Sequence, residues 1–141
     1  MGRKEARELS FKALYQMDIQ KCSMSEIITK IFEDSKMSEK DKIYVENVVY
    51  GTERELENID AMISKGVKNW NLDRISKIDK AALRLAVYEI FNCDDIPDSI
   101  SIFEAVELVK TYDSPEAGGF VNGILRGILR NNKEETVNKG E

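Results

Sequence analysis

Asp79–Asn92 reads DKAALRLAVYEIFN, and its composition decides the fold. Ala81, Ala82, Leu83, Leu85, Ala86, Val87, Ile90 and Phe91 are too many apolar residues for one stripe. A helix built from them is apolar around most of its circumference and belongs in an interior. Asp79 stands at the entry, Lys80, Arg84 and Tyr88 recur every four residues along one line, and Glu89 lies beside them. The stretch therefore predicts a core helix with one wet edge.

Outward from it, long apolar periodicities and only two prolines predict helices throughout and no strand. A first helix is expected from Arg3 to Gln20 on the stripe Ala6, Leu9, Ala13 and Met17. A second follows Ser25 as its cap. Ser38 with Asp41 opens the longest helix, expected to reach Lys65, whose seam of Val45, Val49, Thr52, Leu56, Ile59 and Ile63 suits packing against neighbouring helices. An intermolecular coiled coil is the competing reading, weakened by Thr52. Gly66 is a natural stop, and Trp70 in the connector is expected to anchor packing. Asp73 and Asp79 are expected to cap a one-turn helix and the central helix, and Ser101 with Glu104 the next one. Ser114, Pro115 and Glu116 open the last helix. The expectation is an all-α fold of about seven helices: one domain over 1–132, helical groups at 3–66 and 73–131, and a polar, disordered tail over 133–141.

At 141 residues, roughly 68% of the unfolded chain's surface can be buried, enough for a core without staples. Two distant cysteines, Cys22 and Cys93, fit a reducing compartment and the behaviour of small buried hydrophobes. With no signal peptide and no apolar run near the roughly 20 residues of a membrane span, the chain is expected to be soluble and cytoplasmic, without membrane contact. The absence of histidine removes Ser-His and Cys-His nucleophiles and histidine zinc sites, and no phosphate-cradling G-x-x-x-x-G-K loop is present. No metal, cofactor or catalytic residue is expected. Glu89, Glu104 and Glu107 read as a solvated or partner-facing acidic surface.

Net charge is −5, unevenly spread. Acids crowd residues 94–116 against the single Lys110, whereas Arg3, Lys4, Arg7 and Lys12 mark the first turns and Arg126 and Arg130 the last helix. An acidic side and a basic seam suit an adaptor with two partners. Lys4, Arg7, Phe11 and Tyr15 share one sector of the first helix, and cations interleaved with rings suit nucleic acid. A solvated basic flank with both rings packed inward is the plainer reading. Gly119, Gly123 and Gly127 leave a smooth strip on the last helix, expected to admit a close backbone, chiefly the protein's own helix.

The segments ARELSFKALYQ (6–16), IDKAALRLAVYE (78–89), IFEAVELVK (102–110) and FVNGIL (120–125) resemble the NusB family in order and spacing, over essentially the whole chain. The resemblance implies two three-helix bundles and a non-enzymatic RNA-binding transcription antitermination factor. It would pair with the ribosomal protein NusE, bind boxA RNA, and join the elongation complex of RNA polymerase and other Nus factors on ribosomal RNA operons. It further implies RNA contacts at Arg3, Lys4, Arg7, Tyr15, Glu116, Gly119 and Phe120, and a NusE-facing side at Asp79, Arg84 and Glu89. Three departures stand out: Glu5 interrupts the basic arm, Ala117-Gly118-Gly119 replaces polar or basic residues, and Phe103 replaces an asparagine. Similar domains occur fused to RNA methyltransferases, but the chain is expected to hold no cofactor-binding domain. A protein-interaction module without RNA binding is the other alternative. The glycine strip and aromatic residues suit either a monomer or a homodimer.

Overall fold

Every residue from Asp79 to Glu89 is buried, because the remaining helices close around this stretch. The computed structural model describes residues 2–20, 22–67 and 72–139, with side chains as far as residue 132. In order come α1 (Arg3–Ile19), α2 (Met24–Glu33), α3 (Glu39–Arg54), α4 (Leu56–Gly66), a 3-10 turn (Leu72–Arg74), α5 (Lys77–Asn92), α6 (Asp98–Tyr112) and α7 (Pro115–Lys139). There is no strand among the described residues.

The central helix α5 packs against α1, α3, α4, α6 and α7. Ala81, Ala82 and Ala86 let those neighbours approach, while Leu83, Leu85 and Val87 are almost fully enclosed. Each such large side chain contributes roughly 1.5–3 kcal/mol of burial. Gly51 marks the tightest approach of α3 to α5, for a Cβ there would lie 2.2 Å from Cζ of Tyr88.

The long helix expected from Ser38 to Lys65 is two helices. Ser38 caps α3 as expected, its hydroxyl oxygen accepting from the Asp41 N–H at 3.2 Å. Near the end of α3, however, the Thr52 hydroxyl donates back to the Val48 carbonyl at 2.5 Å. Such back-bonding bends helices. The chain turns at Glu55, so that α3 lies on α1 and α5 while α4 lies on α5 and α7. The two expected helical groups thus interlock across α4–α7 and α1–α5.

Three caps also differ. Ser23, not Ser25, caps α2 by accepting from the Glu26 N–H at 3.2 Å. Ser76 caps α5 through the Asp79 N–H at 3.1 Å, which moves Asp79 inside the first turn. Helix α6 starts directly after Pro97, placing Ser101 within it as a buried residue. Ser114 caps α7 as expected, accepting from the Ala117 N–H at 3.3 Å. Cys93 is buried, but Cys22 is exposed. Trp70 lies outside the described residues, as do the side chains of the expected 133–141 tail.

Candidate functional site

Helix α1 runs antiparallel to α5, because Arg7 meets Glu89 near one end and Asp18 meets Lys77 and Lys80 near the other. At the first end, Glu5 accepts from the Gly2 N–H at 2.9 Å. Hydrogen bonds from the backbone of Gly2 and of Glu5 itself lower its pKa. The acid that interrupts the basic arm is therefore a helix cap. Lys4 is exposed. Half-buried Arg3 lays its guanidinium 4.3 Å from the centroid of the Tyr44 ring, with Nε enclosed and unpartnered among the described residues.

Arg7 is corrected from a surface cation to a core one. Its Nε donates to Glu89 at 3.0 and 3.3 Å, and both side chains are almost completely enclosed. Burial opposes the Arg7 charge, yet Tyr44 and Glu89 outweigh it and raise its pKa. The Tyr44 hydroxyl donates a further hydrogen bond to Glu89. Burial, followed by the Glu89 charge, pushes the phenol far above its ordinary range, so it stays protonated. Glu89 is 1% exposed and cannot face a partner.

The predicted wet edge of α5 is likewise interior. Lys80, Arg84 and Tyr88 are all buried. Arg84 grips Asp60 of α4 with two bonds, at 2.8 and 2.9 Å, and reaches Asp18 of α1 at 3.6 Å. The edge is polar because three helices meet there. Arg84 is thus a clamp between α1, α4 and α5, corrected from its expected partner-facing role.

Asp79 belongs to a different arrangement. A shallow cleft of about 320 Å³ opens between the N-termini of α5 and α7, lined in part by Arg74, Ser76, Asp79, Asp113, Glu116 and Phe120. Ser76 donates to Asp113 at 3.4 Å, and Oδ1 of Asp79 is enclosed without a hydrogen-bond partner among the described residues. Burial first, and then Asp113, push the Asp79 carboxyl up to about 7. The structure thus brings Asp79 beside Glu116 and Phe120. Along α5, this cleft is ten residues from Glu89, roughly 15 Å from the Arg3 end.

Tyr15 and Phe120 are half-buried against the core, whereas Glu116 and Gly119 are exposed. Phe11 is buried with its ring 5.4 Å from that of Tyr112 on α6, as the plainer reading of the first helix expected. Helix α6, rather than a groove, separates α1 from α7: Glu104 and Glu107 share a small cleft with Lys4 and Arg7, while Lys110 lies against Gly118. The glycine strip is also corrected. Among the described residues nothing lies within 4 Å of where a Cβ would stand at Gly119, Gly123 or Gly127, so the strip faces outward and packs none of the described helices. Of the described α7 glycines, Gly118 alone is needed for close packing, since a Cβ there would come within 2.9 Å of Lys110. Sequence reading missed Tyr44, Asp60, Ser76 and Asp113. Ser76 was legible as a capping serine three residues before Asp79; Tyr44 and Asp60 carry no local signal of the partners they find.

A family model described as the NusB family matches residues 4–130. The transcription antitermination protein NusB of Acetivibrio thermocellus is 46% identical over 130 residues, covering 92% of this chain and 90% of that one. The solved structure of T. maritima NusB is 35% identical with a TM-score of 0.87, covering 92% of each chain. A crystal structure of the antitermination factors NusB and NusE in complex with dsRNA contains a chain 30% identical with a TM-score of 0.84, covering 92% of this chain and 96% of that one.

Proposed function

This chain belongs to the NusB family, and from that premise we propose that it is an RNA-binding transcription antitermination factor acting with a NusE protein. The observation that carries the reading is the near full-length likeness to a NusB chain found with NusE and RNA. In this reading the RNA is boxA of ribosomal RNA operons, held to the elongation complex of RNA polymerase and other Nus factors in the cytoplasm. No catalytic step is involved. Residues 1–132 act as one domain carrying a polar tail, as a monomer when RNA is bound and as a homodimer when that surface is covered.

Exposed Lys4 and half-buried Arg3 supply phosphate contacts, and Tyr15, Glu116, Gly119 and Phe120 remain the candidates for other RNA contacts. Asp79 is the partner-facing candidate that keeps a cleft beside it. Fluorescence anisotropy of the full chain with boxA and control RNA, with and without NusE, tests the reading. Replacing Arg3 and Lys4 by alanine should weaken boxA binding and reduce the salt slope by about 1.4, at about 0.7 per phosphate on single-stranded RNA. An unchanged slope would refute these contacts. Equal, weak binding of both RNAs would leave only a protein-interaction module.

A further inference from the structure

Two guanidinium groups approach the Tyr44 ring, Arg3 at 4.3 Å and Arg7 at 5.8 Å. One carboxylate, Glu89, serves the cluster, and its oxygens are taken by Arg7 and by the Tyr44 hydroxyl. Arg3 has no acidic partner among the described residues, so one positive charge is left over. Its Nε is enclosed without a partner among the described residues, while the residue as a whole is half-buried. The ring beneath it is 6% exposed and tied by its hydroxyl to the core helix α5. A stacked guanidinium on such a ring is ordered before any ligand arrives.

We propose that Tyr44 is a positioning residue for RNA binding: anchored by Glu89, its ring holds the Arg3 guanidinium ready to grip a backbone phosphate. This rests on the RNA-binding reading above. It adds a residue of α3 that touches no RNA itself, and a route by which the buried end of α5 sets the geometry of the N-terminal cation. The advantage is preorganisation, because a free arginine would lose its rotamer freedom on binding and a stacked one has already lost it.

The test uses the full chain, boxA RNA and NusE. Tyr44→Leu should weaken RNA binding about two- to fivefold, the scale of one cation–π contact, and lower the salt slope by about 0.7, one phosphate contact. Affinity for NusE measured without RNA should not move. Tyr44→Phe, which keeps the ring and loses only the bond to Glu89, should fall between wild type and Tyr44→Leu. In the Tyr44→Leu background, Arg3→Ala should cost nothing further. A Tyr44→Leu protein with the wild-type slope overturns the inference, as does an Arg3→Ala loss of the same size in both backgrounds. Should Tyr44→Leu fail to fold, Arg3→Lys decides, since it keeps the charge and loses the planar stack. Weaker binding supports the inference, and wild-type binding overturns it. Failure of the wild-type chain to bind boxA with NusE present is a distinct result, and it overturns the RNA reading itself.

Discussion

Asp79 shows how one residue's chemistry depends on its surroundings. Its carboxyl, pushed up to about 7 by burial and by Asp113, holds a proton in the folded chain. In the unfolded chain the ordinary value near 3.8 applies, and the group is ionised above it. The folded state therefore binds more protons between these values, and stability falls as pH rises through that window. The contribution is complete below about 4 and is lost above about 7. Ser76 and Asp113 share the site with it. Thermal melts from pH 5 to pH 8 should show the midpoint decreasing, and Asp79→Asn, neutral throughout, should flatten the trend. A variant as pH-sensitive as wild type would place the titration elsewhere. The sequence marked Asp79 as the entry to α5, but nothing local told that a second acid thirty-four residues on would stand beside it and raise its pKa.

Helices were legible one at a time wherever a strong apolar pattern or a cap marked them. The end of α5 at Asn92, the Ser38 cap and the Ser114–Pro115 start of α7 follow from local rules. The break at Glu55 did not, because it lies inside the periodic seam and goes with α3 and α4 packing on different neighbours. Gly51 carries a comparable tertiary demand. A methyl group there meets the Tyr88 ring, itself buried and bonded to Asn47 at 3.4 Å, so the ring has little room to yield. Gly51→Ala is expected to destabilise by about 1–3 kcal/mol, the usual cost of overpacking a core. Urea unfolding measures it, and a midpoint equal to wild type would mean that α3 and α5 can slide apart without cost.

At the scale of the whole molecule, the two candidate surfaces lie toward opposite ends of α5: the Arg3–Lys4 end above Glu89 and the Asp79 cleft with Glu116 and Phe120. If NusE and boxA RNA use them together, each must raise the other's affinity by the same factor. Calorimetric titrations of each partner, with and without the other, should return equal ratios; unequal ratios would mean that a third equilibrium, such as homodimer dissociation, intervenes. The sequence by itself determined the helical class, the central place of α5 and the family, because apolar periodicity and short motifs are local properties. Only the tertiary structure decided which charges are available. Arg7 and Glu89 are 82 residues apart and Arg84 and Asp60 are 24 apart, so their pairing becomes visible only when helices meet. Pairing removes these charges from the surface, because a buried charge must find its counterion inside the protein. That physical requirement turned the expected wet edge of Asp79–Asn92 into an interior clamp.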